Sequence, residues 1–192
     1  MTGITAGILT GGKSSRMGCD KALLPYRGET FLAHLAGQLD WCDEILISVG
    51  RTGGEALAPW GTLVRDELEG FGPVEGIYQL LCRAGSPYVL VAAADMQRLD
   101  RTFLRALAAA LRPEDRCLVP CWGDLIEPLC AVYHKDALPY LTEMRRAGVH
   151  RPRALFSRLP TRYVDLAALG CGPEIMENIN TPADYDALLE QP

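Results

Sequence analysis

The stretch YVLVAAAD, residues 88–95, is apolar in its first seven positions and ends in a carboxylate. Strands of this composition are buried on both faces, as in parallel sheets that helices cover on each side. Further strands are predicted at 4–10, 44–50, 62–66, 116–121, 127–134 and 161–166. Helical patterns lie between them at 28–39, 72–85, 101–112, 136–146, 151–158 and 182–190. This alternation predicts an α/β fold with a mostly parallel sheet.

The bulk composition limits both the architecture and the partners. The chain has 192 residues, enough for one domain spanning 1–192, with 48% hydrophobic and 22% charged residues. Its formal net charge is −5 and no block of Lys and Arg is present, so we expect no nucleic-acid partner. No apolar run reaches the ~18 residues of a membrane span, and the first residues do not resemble a signal peptide. The seven scattered cysteines favour a reduced, cytoplasmic compartment.

The segment GILTGGKSSRMGCDK, residues 7–21, matches the Walker A pattern of P-loop proteins in its first eight positions. A Walker A loop needs a long helix starting at Lys13, yet Gly18 and Pro25 would interrupt it. We therefore favour an irregular loop from Thr10 to Pro25 that binds a triphosphate. Its glycines (11, 12 and 18) let backbone N–H groups approach anionic oxygens, and its cations are Lys13, Arg16 and Lys21. A glycine-rich turn with solvated cations remains the alternative, as does a P-loop hydrolase.

Three candidate residues stand at predicted strand ends, where ligands bind in open α/β sheets: Gly11, Asp66 and Asp95. Asp95 can hold Mg²⁺ through one carboxylate, because Mg²⁺ takes one or two carboxylates together with phosphate oxygens and water. The alternative for Asp95 is a helix cap, and for Asp66 a solvated acidic turn. Cys117, Cys121 and Cys130 could be metal ligands, although small buried cysteines are the commoner explanation.

Five segments in order resemble the molybdenum cofactor guanylyltransferases, a family of nucleotidyltransferases. They are LTGGKSSRMGCDKALLPYRGET (9–30), VRDELEGFGPVEGI (64–77), VLVAAADM (89–96), EPLCAVYH (127–134) and NINTPADY (178–185). The resemblance implies a Rossmann-like three-layer α/β/α fold of the nucleotide-diphosphate-sugar-transferase type with a twisted sheet. It also implies transfer of GMP from GTP to the phosphate of molybdopterin, with release of pyrophosphate and a requirement for Mg²⁺.

The resemblance assigns roles to individual residues. Lys21, Arg16 and Asp95 would be catalytic, and Asp95 would bind the metal. The implied GTP-binding residues are Leu9, Thr10, Gly11, Gly12, Lys21, Asp66 and Asp95. Asn178 and Asn180 would lie on the acceptor side, although Asx-turns that order the last helix are an equal alternative.

Two departures from the family pattern and several alternatives stay open. Gly50 stands where the family often has Asn, and Gln97 stands where it often has Pro. The Gly11–Gly12 pair favours guanine over a cytidylyltransferase acting on the same pterin or another nucleotidyltransferase. A module that senses GTP without catalysis is the alternative from a different class. Transient contact with molybdopterin-delivering or molybdoenzyme-maturation proteins is expected, and Arg151 and Arg153 could contact the anionic acceptor.

Overall fold

The computed structural model describes residues 3–10 and 21–190. Ten strands are assigned in this part of the chain. They are β1 Ile4–Leu9, β2 Pro25–Tyr26, β3 Glu29–Thr30, β4 Glu44–Val49, β5 Thr62–Arg65, β6 Tyr88–Ala93, β7 Cys117–Trp122, β8 Leu125–Ile126, β9 Cys130–His134 and β10 Thr161–Asp165. The α-helices in the same part are α1 Phe31–Leu39, α2 Pro73–Arg83, α3 Arg101–Ala109, α4 Leu138–Arg146 and α5 Pro182–Leu189. Short 3₁₀ helices lie at Lys21–Leu23, Glu55–Trp60, Lys135–Ala137, Pro152–Leu155, Leu166–Leu169 and Pro173–Met176.

Eight of these strands form one sheet in the order β10–β7–β9–β6–β1–β4–β5, with β8 paired to β7. The strand β6, which the sequence indicates most clearly, lies in the middle of this order and is buried at every position. The pairs β1–β4, β1–β6, β4–β5 and β7–β10 are parallel. Only β9 and β8 run antiparallel to their neighbours in this sheet. The predicted α/β fold with a mostly parallel sheet is confirmed.

Two hydrophobic cores fill the space on the two faces of the sheet, which gives three layers. Successive side chains of a strand point to opposite faces, and β6 shows this alternation. Leu90 and Ala92 pack in the core with α1 and α3, whereas Val89 and Val91 pack in the core with α2 and α4. None of the helices in the described ranges is long and apolar enough to cross a bilayer.

Side-chain caps fix where three helices begin. Thr30 accepts a hydrogen bond from the Ala33 N–H at 3.2 Å and starts α1, and Asp100 accepts from Phe103 N–H at 2.8 Å and starts α3. Thr181 caps α5 in a reciprocal capping box with Asp184. Asp100 and Thr181 directly precede the helical patterns predicted at 101–112 and 182–190.

Several predicted boundaries differ from the structure. The helix predicted at 28–39 begins only at Phe31, because 25–30 forms the β2–β3 hairpin, whose turn residues Arg27 and Gly28 have φ of 50° and 84°. The helix predicted at 151–158 is a single 3₁₀ turn, Pro152–Leu155. The strand predicted at 127–134 begins at Cys130, since Glu127 accepts the Leu129 N–H at 2.8 Å and closes a turn.

Candidate active site

The carboxyl ends of β1, β4, β5 and β6 meet at one edge of the sheet and position the candidate residues. Leu9 ends β1, and its carbonyl accepts a hydrogen bond from Ala94 N–H at 2.9 Å, just after β6. Thr10 donates both its N–H (3.2 Å) and its hydroxyl (2.8 Å) to the Ser48 carbonyl on β4. These contacts hold the end of β1 between the ends of β4 and β6.

Lys21 and Asp95 lie beside each other at this edge. The Lys21 Nζ is 3.5 Å from Asp95 Oδ2, and it also donates to the Ile179 carbonyl at 2.9 Å and to Asn180 Oδ1 at 3.0 Å. The Ile179 N–H in turn donates to the Asp95 carbonyl at 2.8 Å. The structure therefore brings together three segments that are far apart in sequence: the end of the glycine-rich loop, the end of β6 and the NIN segment.

The two charged groups are accessible to a ligand without being fully solvated. The Lys21 side chain is 19% exposed and the Asp95 side chain 24% exposed. Burial raises the pKa of Asp95, and the Lys21 ammonium acts in the opposite direction. A cation or a hydrogen-bond donor that takes the place of the water lost from Asp95 would favour the ionised form of its carboxylate.

Glu127 is a candidate site residue that the sequence reasoning did not single out. Burial raises the pKa of its carboxyl, the negative charge of Asp95 adds to the rise, and hydrogen bonding from Asn178 opposes it. Arg153 also acts to lower that pKa, and its Nη2 donates to the Ile126 carbonyl at 3.0 Å. Glu127 therefore links Asn178 and Arg153 to the neighbourhood of Asp95. The acidic residue before Pro128 in EPLCAVYH is the signal that could have indicated it.

Asp66 lies at the other end of the same edge, directly after β5. Its N–H donates to the Val49 carbonyl at 3.1 Å, while its Oδ1 is buried with no hydrogen-bond partner in the described part of the chain. Burial and the nearby Glu75 charge raise the pKa of Asp66 to about 6, against the opposing effect of Ser48. Three interstrand spacings, about 14 Å, separate β5 from β6. Asp66 and Asp95 are therefore far enough apart to contact different parts of one extended ligand.

The GPVEG segment brings the first turn of α2 against the strand ends. Gly72 has φ +78°, a conformation that favours glycine, and Pro73 follows at the first helical position. A Cβ at Gly76 would lie 2.7 Å from Leu9 Cδ2 and 2.8 Å from Ser48 Oγ. Gly76 therefore permits a close approach of α2 to β1 and β4.

The other predicted site residues, Gly11, Gly12 and Arg16, lie outside the described residues, as do Lys13 and Gly18. Within 3–10 and 21–190, no group of three or more His, Cys, Asp or Glu side chains is arranged to hold a metal ion. Cys117 and Cys130 are fully buried, and burial raises the pKa of the Cys117 thiol to about 12. The small buried cysteine is therefore the better description of these two residues.

Known proteins resemble this chain in sequence and in fold. A protein from Deinococcus radiodurans named "Probable molybdenum cofactor guanylyltransferase" is 34% identical over 98% of this chain and 95% of its own length. The crystal structure of molybdopterin-guanine dinucleotide biosynthesis protein A from Archaeoglobus fulgidus has a TM-score of 0.80 at 24% identity, over 97% of each chain. A structure of Rv0371c from Mycobacterium tuberculosis in complex with manganese has a TM-score of 0.67 at 22% identity, over 98% of this chain and 99% of that one. These two structures share the fold.

The family model of the MobA-like NTP transferase domain matches residues 6–163, which include the ends of β1, β5 and β6. The α/β fold and the match to this family model together define the chain as a nucleotidyltransferase. Within that class, the chain belongs to the MobA-like NTP transferase domain family.

Proposed function

We propose that this nucleotidyltransferase transfers GMP from GTP to the terminal phosphate of molybdopterin, forming molybdopterin guanine dinucleotide and releasing pyrophosphate. The names of its relatives support the substrate pair. The observation that carries the proposal is the approach of Lys21 Nζ to Asp95 Oδ2, 3.5 Å apart beside the carboxyl end of β6. The Lys21 ammonium suits the phosphates of the nucleotide, and the Asp95 carboxylate suits a divalent cation bound to them.

The nucleotide would lie along the edge of the sheet with its phosphates near Lys21 and its base near Asp66. Leu9 and Thr10 would contact the nucleotide between these ends, largely through their backbone, with Gly11, Gly12 and Arg16 completing the phosphate contacts. A carboxylate accepts hydrogen bonds from both the N1–H and the 2-amino group of guanine. The buried Oδ1 of Asp66, which has no hydrogen-bond partner among the described residues, supports its assignment to the base.

The reaction needs no side-chain nucleophile. An oxygen of the acceptor phosphate attacks the α-phosphorus of GTP, the bond to the α–β bridging oxygen breaks, and that oxygen leaves with pyrophosphate. The second pKa of a phosphate monoester is about 6, so the acceptor is already ionised at neutral pH. Lys21 binds the phosphate oxygens and offsets their charge, which makes alignment and charge stabilisation its contribution.

Asp95 is the residue proposed to hold Mg²⁺. Its carboxylate and the neighbouring Asn180 Oδ1 are oxygen donors, the ligand type that Mg²⁺ prefers, and Mg²⁺ needs few protein ligands when it binds phosphates. When bound, the ion would offset the charge of the triphosphate. The proximity of Asn178 and Asn180 to this centre, with Glu127 and Arg153 beside them, supports their placement on the acceptor side.

The test is to incubate the protein with Mg²⁺, molybdopterin and each nucleoside triphosphate in turn, and to measure pyrophosphate and the dinucleotide product. We expect product with GTP and its loss in Asp95→Ala. Product with CTP alone would indicate the cytidylyltransferase. Orthophosphate in place of pyrophosphate would indicate a P-loop hydrolase, and GTP binding without turnover would indicate a sensing module.

A second experiment addresses the metal. Removal of divalent ions with a chelator should abolish turnover, and adding Mg²⁺ back should restore it. A turnover rate that chelation leaves unchanged would contradict the metal assignment. Contact with molybdopterin-delivering or molybdoenzyme-maturation proteins and a cytoplasmic location stay predictions.

A further inference from the structure

The turn that carries Asp66 is held by a buried carboxylate from α2. Glu75 is 0% exposed, and its Oε1 accepts hydrogen bonds from the N–H groups of Glu67 (2.8 Å) and Leu68 (3.2 Å). These are the two residues directly after Asp66. Gln79 donates to the same oxygen at 2.9 Å. A single side chain therefore fixes the backbone of the turn at residues 66–68.

Arg145 on α4 neutralises this carboxylate. Its Nε donates to Glu75 Oε2 at 2.6 Å, and its Nη2 donates to Glu75 Oε1 at 3.2 Å and to Glu67 Oε2 at 2.9 Å. Its guanidinium also lies over the Tyr78 ring, 4.0 Å from the ring centroid. Arg145 thus bridges Glu75 in α2 and Glu67 in the turn. Removing Arg145 would leave the buried Glu75 charge without its ionic partner.

We propose that Glu75 and Arg145 are positioning residues for base selection, which hold the 66–68 turn so that the Asp66 carboxylate faces the N1–H and 2-amino edge of a guanine. This inference rests on the proposed function. Neither residue contacts the nucleotide in this arrangement, and both act through Asp66. The chemical class they select is a purine nucleotide with a hydrogen-bond donor at N1 and an amino group at C2.

The charges around Asp66 explain why Glu75 needs Arg145 as a partner. A carboxylate must be ionised to accept two hydrogen bonds from guanine, and Asp66 already lies beside the Glu75 charge, which raises its pKa. Hydrogen bonds from Gln79, from the Glu67 amide and from Arg145 lower the pKa of Glu75 although its burial acts to raise it, so Glu75 is charged. Without Arg145, that charge would oppose ionisation of Asp66 more strongly.

The test compares GTP with ITP, which lacks the 2-amino group, in steady-state assays of wild type, Glu75→Gln and Arg145→Gln. We expect the KM for GTP to rise about tenfold in both variants. The KM for ITP should rise less, because ITP keeps the N1–H and lacks only the 2-amino group, and both kcat values should change less than about twofold. The preference for GTP over ITP then falls. Arg146→Gln is the matched control, because Arg146 is the next residue of α4 and is exposed, and it should keep wild-type constants.

A double-mutant cycle separates positioning from general structural support. If Glu75 acts through Asp66, then Asp66→Asn and Glu75→Gln should each lower the GTP-over-ITP preference, and the double variant should lower it no further than Asp66→Asn alone. Equal losses of kcat for both nucleotides, or an unchanged preference, would overturn the inference.

A milder variant covers the case in which Glu75→Gln does not fold. Glu67→Gln removes only the outer contact of Arg145, at a residue whose side chain is 68% exposed, and it should lower the preference in the same direction. An unchanged preference in Glu67→Gln would then count against the proposal. Failure of the proposed function has a different signature, since wild type itself would release no pyrophosphate from GTP.

Discussion

At the scale of single residues, the Lys21 ammonium is held in place by three acceptors at the position proposed for phosphate binding. This ammonium is shared among the Asp95 carboxylate, the Ile179 carbonyl and the Asn180 amide oxygen, at 3.5, 2.9 and 3.0 Å. Three acceptors for one ammonium restrict its position before substrate arrives. Preorganised charge of this kind needs little reorganisation during the reaction.

Lys21→Ala should therefore reduce kcat by about 100-fold or more, as expected when one charged contact to reacting phosphates is lost. Lys135→Ala is a suitable control, because the Lys135 backbone N–H bonds to Pro87, at the opposite end of β6, and its turnover should match wild type. The rate of pyrophosphate release measures the turnover of both variants. Near-normal turnover in Lys21→Ala would remove Lys21 from the mechanism.

Asp66 gives a prediction about pH. Burial and the Glu75 charge raise its pKa to about 6 from 3.8, so the folded protein binds its proton more tightly than the unfolded chain does. Its contribution to stability is thus present at low pH and is lost as pH rises through about 6. Guanine binding as proposed above would follow the opposite trend, because it needs the ionised carboxylate.

The KM for GTP should accordingly be flat above pH 7 and rise as pH falls through 6. Asp66→Asn is the control, since it keeps the titration of the nucleotide phosphates and removes that of the side chain. The ratio of wild-type to variant KM isolates Asp66. A ratio independent of pH would show that Asp66 does not contact the base as an anion.

At the scale of elements, the close packing of α2 on β1 and β4 depends on Gly76. Gly76→Ala would place a methyl group 2.7 Å from Leu9 Cδ2 and 2.8 Å from Ser48 Oγ, and should destabilise the protein by about 1–3 kcal/mol. At Gly37 in α1, an added methyl group would meet nothing within 4 Å, so Gly37→Ala should stabilise by about 0.5–1 kcal/mol. Urea unfolding measures the free energy of unfolding of both variants. Equal changes in Gly76→Ala and Gly37→Ala would contradict the packing argument.

The sequence predicted which segments form the main strands of the sheet better than it predicted the directions of those strands. Buried strands such as β6 are apparent from composition, because a strand covered on both faces has no polar side. The antiparallel direction of β9 could not be predicted, since hydrophobic pattern carries no information about strand direction. The two-residue strands β2 and β3 were also missed, because they are too short to show a period. Among the site residues, Asp95 was indicated by its place at a strand end, whereas Glu127 and Glu75 depend on tertiary contacts.

At the scale of the whole molecule, residues near both ends of the described chain support the same site. Tyr26, Phe31, Ile179 and Leu188 form a small core of their own, and the Tyr185 hydroxyl donates to the Pro25 carbonyl at 2.6 Å. The Ile179 carbonyl, one of the acceptors of Lys21, belongs to this cluster. Packing of α5 therefore contributes to the position of Lys21.

Leu188→Ala should destabilise the protein by about 2–5 kcal/mol, because Leu188 is only 3% exposed. Turnover of the folded fraction should also fall, since the segment that holds Lys21 is loosened. Leu189→Ala changes the neighbouring residue, which is 50% exposed, and should alter neither quantity. Unfolding midpoints and pyrophosphate release test the pair, and full turnover in Leu188→Ala at low temperature would separate α5 from the site.

The bond between Lys21 and Asn180 joins positions 159 residues apart. During synthesis, the sheet strands up to β10 leave the ribosome before the NIN segment and α5 do. A nascent chain of that length has most of its sheet but lacks two of the three acceptors of Lys21. If Lys21 binds the phosphates as proposed, a chain terminated before residue 179 should therefore be impaired in nucleotidyl transfer.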